Sequence, residues 1–166
     1  MRVWRVCRRA HAPFDGEGAR RFGGRWNARG TPLVYTSAEP ALAVLEYFVN
    51  LEIEDAPGDL VMVSAELPER ISVETVDPAM LPRAWRSTPA PAALAQLGTD
   101  WARSGRTAAL VVPSAVVPIQ RNFLLNPLHP DVARIKVGPP EPLALDPRLR
   151  KRVSVRDRRR GRPSRR

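Results

Sequence analysis

The feature that most constrains the fold is an uninterrupted apolar run, Ala108-Ala109-Leu110-Val111-Val112, which Pro113 stops. A short apolar run without polar alternation is typical of a strand that is buried on both faces. We therefore expect residues 108–112 to form a buried central strand, and the other elements to be arranged around it.

Shorter segments with alternating or β-branched residues predict further strands, and two longer segments predict helices. The strands are expected at residues 3–7, 33–36, 60–65, 71–73, 123–125 and, as a last edge strand, 141–145. The helices are expected at residues 40–50, where Ser37 or Glu39 could cap the first turn, and at 90–104. Residues 14–30 predict a long glycine-rich loop, 78–86 an irregular or short helical segment, and 130–134 one helical turn. The fold class is α+β, in which strands dominate.

The net charge of +10 is located almost entirely in the last residues of the chain. Residues 148–166 hold eleven Arg and Lys against one Asp, so 16 basic and 16 acidic residues remain in residues 1–147. A segment so rich in charge and poor in apolar residues is expected to be disordered and to contact polyanions non-specifically. We thus expect one folded domain over residues 1–147 and a basic tail over 148–166.

Several classes of protein are not favoured by the composition. Apolar runs are too short for a membrane span, and the first residues do not form an export signal, so a cytoplasmic location is expected. Cys7, His11 and His129 are isolated in sequence, so we expect no metal site. A basic nucleic-acid-binding module is an alternative, but the basic tail has no aromatic residue.

Glu46 is the sharpest candidate for a functional residue. It is the single charged residue between Pro40 and Leu51, in an otherwise apolar helix. An apolar helix is normally buried, and a buried carboxylate needs a partner. Glu46 therefore either lines a pocket or marks a thin solvent-exposed stripe.

Arg25 is the expected partner of Glu46. It follows Gly23 and Gly24, which allow a close approach of the backbone to a ligand, and its guanidinium can bind a diphosphate or carboxylate bidentately. The alternative is an ordinary surface arginine.

Three further polar residues occupy the ends of predicted strands. Tyr35 could stack on a planar ring or be a half-buried core residue. Ser114 follows the central strand, where it could face a site or make a turn, but no Gly-x-Ser-x-Gly motif surrounds it. Asn126, before Pro127, could donate its amide to a pocket, or more simply make an Asx turn.

The chain resembles the RES domain family from Trp4 to about residue 147. Five segments, in the same order as in the family, carry the resemblance. They are Gly23-Gly24-Arg25-Trp26-Asn27, Val34-Tyr35-Thr36-Ser37, Leu45-Glu46, the run from Val112 to Pro118, and the run from Asn122 to Pro130. The family's Arg, Glu and Ser fall on Arg25, Glu46 and Ser114, and its pocket tyrosine falls on Tyr35.

The resemblance implies an ADP-ribosyltransferase-like fold, with a split β-core, packed helices and NAD bound as the substrate in a cleft. It implies a toxin of a bacterial toxin–antitoxin pair that cleaves the nicotinamide–ribose bond, with water or phosphate as acceptor. A protein ADP-ribosyltransferase is the alternative. Glu46 and Arg25 would be catalytic, and Arg25, Tyr35, Ser114 and Asn126 would bind NAD without a metal. The implied partner is an Xre-type helix-turn-helix antitoxin, which we expect to cover the cleft mouth near Arg20, Arg21 and Arg29.

Overall fold

The computed structural model describes residues 1–51 and 57–146. Within them, three α-helices pack on one mixed sheet, which confirms the α+β class. The helices are α1 (Glu17–Phe22), α2 (Pro40–Phe48) and α3 (Ala92–Ser104). The strands are β1 (Arg2–Arg8), β2 (Val34–Ser37), β3 (Leu60–Glu66), β4 (Val73–Thr75), β5 (Ala109–Pro113), β6 (Arg121–Leu125), β7 (Lys136–Val137) and β8 (Glu141–Pro142).

The strands form a single hydrogen-bonded sheet in the order β4-β5-β6-β2-β1-β3-β7, with β8 also paired to β3. Only β4 and β5 run parallel among the strand pairs of the described chain. All five residues of β5 are buried, as the apolar run predicted. The sheet places β6 and β2 side by side at its centre, although about 85 residues separate them in sequence.

The two faces of the central strands carry different hydrophobic clusters. Val34, Val111 and Phe123 belong to the cluster on one face. Leu110, Val112 and Leu124 belong to the other cluster, which includes Trp26 of the glycine-rich segment and Leu94 and Trp101 of α3. Because side chains alternate along a strand, Tyr35, Ser37, Asn122 and Ser114 lie toward the second face.

The prediction of an unbroken loop at residues 14–30 is wrong, because α1 forms inside it. The Asp15 carboxylate accepts from the Glu17 N–H at 2.9 Å, and Glu17 forms ion pairs with Arg20 and Arg21 one turn later. These arginines hold the pKa of Glu17 down, to about 2. The helix has no buried residue and therefore no apolar stripe that periodicity could reveal.

Other boundaries differ from the predictions by a few residues. The strand predicted at 71–73 is β4 at Val73–Thr75, and the edge strand predicted at 141–145 is limited to β8. Strand β7 was not predicted. Glu39 is the N-cap residue of α2 without a side-chain hydrogen bond, and Ser37 is the last residue of β2, so neither caps this helix by its side chain. The basic tail at 148–166 lies outside the described residues. None of the helices within the described ranges is long and apolar enough to cross a membrane.

Candidate functional site

Glu46 lies in the last turns of α2 and contacts two side chains, one from β6 and one from the residue after β5. Its Oε1 atom accepts hydrogen bonds from the Ser114 hydroxyl at 2.6 Å and from the Asn122 side-chain amide at 2.6 Å. Oε2 accepts no hydrogen bond from the described residues, yet it is not a buried unsatisfied atom. The carboxylate thus has one oxygen held by the protein and one oxygen that solvent or a ligand can reach.

Ser114 is fully buried immediately after β5 and has a defined hydrogen-bonding direction. Its Oγ accepts from the backbone N–H groups of Val116 at 3.1 Å and Val117 at 2.9 Å. With two donors already pointing at this oxygen, the hydroxyl proton is directed to Glu46. Ser114 therefore orients the carboxylate of Glu46.

Asn122 and Ser37 complete this group of side chains, and the sequence analysis did not identify either as a site residue. The two residues are paired across β6 and β2. The Ser37 hydroxyl donates to Asn122 Oδ1 at 2.8 Å, which leaves the amide group of Asn122 for Glu46. We call Glu46, Ser114, Asn122 and Ser37 the carboxylate end of the site.

Arg25 does not pair with Glu46, contrary to the expectation from sequence. Its Nη1 donates to the carbonyl oxygens of Trp85 at 2.6 Å and Ser87 at 3.2 Å, and its Nη2 donates to Ser87 O at 3.2 Å. Arg25 therefore ties the glycine-rich segment to the segment that precedes α3. Because its partners are neutral carbonyls, its charge stays available to an anion.

Tyr35 projects from β2 beneath the backbone of this arginine-bearing segment. Its hydroxyl donates to Asn27 Oδ1 at 2.7 Å and accepts from the Trp26 N–H at 3.0 Å. Burial raises the pKa of Tyr35 well above its usual value, against the hydrogen bond from Trp26 and the charge of Arg25. Tyr35 thus stays neutral and supports the loop through its hydroxyl. We call Arg25, Trp26, Asn27 and Tyr35 the arginine end of the site.

Two glycines permit the close packing of the arginine end. A Cβ atom on Gly24 would lie 2.7 Å from the Tyr35 hydroxyl oxygen. A Cβ atom on Gly98, in α3, would lie 1.9 Å from the carbonyl oxygen of Trp26. Both distances are shorter than a van der Waals contact, so larger residues would displace the loop that carries Arg25.

The two ends share one face of the sheet. Tyr35 and Ser37 are two residues apart on β2, which places their Cα atoms about 7 Å apart on the same face. Across the strand pair they face Leu124 and Asn122, respectively. The two ends are therefore neighbouring parts of one face of the sheet, with α2 on the side of Glu46 and α3 on the side of Trp26.

Two more arginines, Arg86 and Arg121, also bind carbonyl oxygens. Arg86 Nε donates to Ala115 O at 3.1 Å, beside Ser114. Arg121 Nη1 donates to Pro118 O at 3.1 Å and to Gln120 O at 3.3 Å. Within residues 1–51 and 57–146, neither these two nor Arg25 forms an ion pair with a carboxylate. The positive charge of these arginines is therefore not neutralised by a carboxylate of the described residues, which suits an anionic ligand.

Asn126 occupies a different setting from the other predicted site residues. It follows β6 at the end opposite to Asn122 and is 2% exposed. Its side chain donates to Ala102 O at 2.8 Å and accepts from the Leu128 N–H at 3.1 Å. These contacts are those of the Asx turn that the sequence offered as the alternative, and they fasten β6 to α3. A direct role of Asn126 in binding remains a prediction that these contacts do not support.

Elsewhere, the structure does not bring candidate ligands or bases together. Within the described part of the chain, no three His, Cys, Asp or Glu side chains are close enough to hold a metal ion. His129 Nδ1 accepts from the Asp131 N–H in a turn. A separate open groove contains none of the predicted site residues; it is lined by Met1, Arg2, Glu66, Leu67, Pro68, Arg134 and Lys136.

Comparison with known proteins defines the class. The RES domain matches residues 2–146, and the chain belongs to this family, as the resemblance of the sequence predicted. "Prs ADP-ribosylating toxin" of Sphingobium sp. (strain YBL2) is 38% identical over 152 residues, covering 88% of this chain and 94% of the relative. "Toxin Res" of Yersinia enterocolitica is 33% identical over 153 residues, covering 90% of this chain and all of the relative.

A solved structure has the same fold. One chain in the crystal structure of the M. tuberculosis MbcT–MbcA toxin–antitoxin complex superposes with a TM-score of 0.69 at 16% identity. The match covers 90% of this chain and 86% of that one. The relatives thus confirm the toxin class that the sequence predicted, and the structural similarity confirms the fold.

Proposed function

We propose that this RES domain protein is the toxin of a toxin–antitoxin pair and that it consumes NAD by breaking the nicotinamide–ribose bond. The observation that carries the proposal is the state of Glu46. Its Oε1 is fixed by Ser114 and Asn122, while Oε2 accepts no hydrogen bond from the described residues. An oriented carboxylate with a free oxygen is what a reaction that develops positive charge on a sugar requires.

In the proposed reaction, the bond between ribose C1′ and the nicotinamide nitrogen breaks. The electron pair of this bond passes to nicotinamide, which leaves as a neutral molecule, and positive charge develops on C1′ and the ring oxygen. Glu46 stabilises this charge electrostatically. Water then adds to C1′ and loses its proton to solvent, giving ADP-ribose. Because nicotinamide leaves without protonation, the absence of an acid contact beside Glu46 in the described site is compatible with the chemistry.

Arg25, in this proposal, binds the diphosphate of NAD. Its guanidinium is placed by the carbonyls of Trp85 and Ser87, and no carboxylate in the described residues neutralises it. A planar guanidinium suits a phosphate group better than an ammonium does. Tyr35 would contribute its ring to the floor between Arg25 and Glu46, since its hydroxyl is engaged by Trp26 and Asn27.

A second candidate function is transfer of ADP-ribose to a protein. It is favoured by the relative whose name describes it as an ADP-ribosylating toxin of Prs. Both candidates share the cleavage step at Glu46 and differ only in the acceptor, which is water or phosphate in the first case and a protein side chain in the second.

The deciding experiment incubates pure protein with NAD and follows nicotinamide and ADP-ribose by chromatography, with and without phosphate. We expect nicotinamide release in the parent and its loss in Glu46→Gln. Glu39→Gln is the matched control, because Glu39 is an exposed glutamate just before α2. Nicotinamide release only after addition of a bacterial protein extract, with label entering a protein band, would select the transferase function. No release under either condition would reject both.

The proposed partner is an Xre-type helix-turn-helix antitoxin that covers the mouth of the cleft. Support comes from the fold shared with a chain of a toxin–antitoxin complex. Helix α1 offers Arg20 and Arg21 to such a partner, and both arginines share the carboxylate of Glu17 as their ion-pair partner.

The partner proposal is tested by calorimetry with inactive Glu46→Gln protein and the antitoxin encoded next to this gene. Changing Arg20 and Arg21 together to Glu should weaken binding at least 10-fold. The control is the charge reversal Arg70→Glu, at an exposed arginine after β3. Unchanged affinity in the Arg20/Arg21 variant would place the partner elsewhere.

We further propose that residues 1–147 are sufficient for activity and that the basic tail is accessory. The RES domain match ends at residue 146. A chain that ends at Pro147 should release nicotinamide at the parent rate and lose salt-dependent retention on heparin. Loss of activity in a folded, truncated chain would assign the tail to the active site.

A further inference from the structure

We infer that Asn122 is a positioning residue for Glu46 and that Ser37 holds the Asn122 side chain in place. The inference rests on the proposed function and adds two residues to its machinery. Two hydrogen bonds link three side chains. Ser37 Oγ donates to Asn122 Oδ1 at 2.8 Å, and Asn122 Nδ2 donates to Glu46 Oε1 at 2.6 Å.

The carboxylate of Glu46, which only accepts hydrogen bonds, selects the nitrogen end of the Asn122 amide, and the Ser37 hydroxyl holds the oxygen end in place. An amide carries an acceptor oxygen on one side and a donor nitrogen on the other. With its oxygen held by the Ser37 hydroxyl, Asn122 presents the nitrogen to Glu46. The opposite orientation would place two acceptor oxygens against each other, which is repulsive.

The second donor, Asn122, is needed to fix the orientation of the Glu46 carboxylate, because Ser114 supplies only one hydrogen bond. A carboxylate held by one bond can rotate about it, whereas two donors on Oε1 also fix where Oε2 points. Hydrogen bonds to a charged group are shorter and stronger than neutral ones, and both bonds here measure 2.6 Å. Glu46 is thus held for its substrate before NAD arrives, which lowers the cost of reorganisation.

A role in strand pairing alone does not account for these side chains. Strands β2 and β6 are already joined by a four-residue antiparallel ladder, from Val34↔Leu125 to Ser37↔Asn122. Thr36, next to Ser37, makes its own hydrogen bond to Phe123 O at 2.8 Å on the opposite face and does not contact Glu46. Thr36 therefore provides a matched internal control, with a buried hydroxyl in the same strand pair.

The first test is steady-state cleavage of NAD by Asn122→Leu, which keeps the side-chain size and removes the amide. We expect kcat to fall roughly 10- to 100-fold, the size of one lost hydrogen bond to a charged group, with KM unchanged within about 2-fold. Ser37→Ala should lower kcat roughly 3- to 10-fold, and Ser37→Thr, which keeps the hydroxyl, should restore at least half of the parent rate. Thr36→Val should keep the parent kcat.

A double-mutant cycle separates positioning from general damage. If Asn122 acts through Glu46, the pair Glu46→Gln and Asn122→Leu should be no more than about 2-fold slower than Glu46→Gln alone. A full additive loss, or a Thr36→Val effect as large as that of Ser37→Ala, would overturn the inference. If Asn122→Leu does not fold, the Ser37→Ala and Ser37→Thr comparison decides the matter alone.

The proposed function and this inference fail in different ways. Parent-like kcat in Asn122→Leu and Ser37→Ala, while Glu46→Gln is inactive, would remove only the positioning role. A parent protein that releases no nicotinamide from NAD, with or without a protein acceptor, would remove both.

Discussion

The carboxylate end and the arginine end of the site are held together by different kinds of hydrogen bond. At the carboxylate end, side chains from α2, β2, β6 and the residue after β5 bond to one another. At the arginine end, the side chains of Arg25 and Tyr35 bond mainly to the backbone of irregular segments. In the proposed function, regular elements thus carry the carboxylate for the chemistry, whereas an irregular loop carries the cation for binding.

This difference separates what a substitution at each end should change. At the carboxylate end, the side chains of Glu46, Asn122 and Ser37 bond to one another, so their loss should appear in kcat. At the arginine end the side chains also determine the course of the loop, so their loss should appear in stability and in KM.

The largest effect is expected from Glu46→Gln, which keeps the size and removes the charge. Loss of a preorganised electrostatic stabiliser typically costs about 2.7–4 kcal/mol, so kcat should fall roughly 100- to 1000-fold. The urea midpoint should match that of the parent within error. A large loss of stability together with normal specific activity of the folded fraction would contradict this comparison, because Glu46 would then have a structural and not a catalytic role.

Gly98→Ala should be the most damaging change at the arginine end. The new methyl group would lie 1.9 Å from Trp26 O, so α3 and the loop must separate at a cost of about 1–3 kcal/mol, the usual range for overpacking. Gly18→Ala in α1 is the control, because nothing lies within 4 Å of its Cβ position and alanine favours the helix. Urea unfolding should give a lower midpoint for Gly98→Ala alone; equal midpoints would mean that this contact does not fix the loop.

Tyr35→Phe should destabilise the same loop by an amount in the same range as Gly98→Ala. It removes the hydroxyl shared by the Trp26 N–H and Asn27 Oδ1, which costs about 1–3 kcal/mol when buried partners are left unsatisfied. KM for NAD should rise because the loop holds Arg25 less firmly, while kcat at saturation stays near that of the parent. A fall in kcat with constant KM would instead place the hydroxyl in the chemical step.

Sequence reasoning succeeded where one residue is anomalous in its own neighbourhood. Glu46 was identifiable as a carboxylate that needs partners because a single charge interrupts an apolar helix, and β5 because a proline ends an apolar run. The family resemblance and the α+β class, which depend on the order of such segments, were confirmed.

The sequence could not reveal partners that lie far apart in the chain. Nothing in the local sequence distinguishes Ser37 and Asn122. They come into contact only through the register between β2 and β6. Arg25 was identified, but its contacts are carbonyl groups about 60 residues away, which no side-chain pattern encodes. Helix α1 was missed because it is held by Asp15 and Glu17 without an apolar face.

The account assigns the chemical step to the carboxylate end and substrate binding to the arginine end. The most direct test is to measure by calorimetry the dissociation constant for NAD of two inactive proteins, Glu46→Gln and Glu46→Gln combined with Arg25→Lys. The first should bind NAD, because Glu46 acts mainly on the charge of the transition state. The second should bind at least 10-fold more weakly, since lysine keeps the charge but loses the planar guanidinium. Equal affinities for the two proteins would contradict the account, because Arg25 would then have no part in holding the substrate.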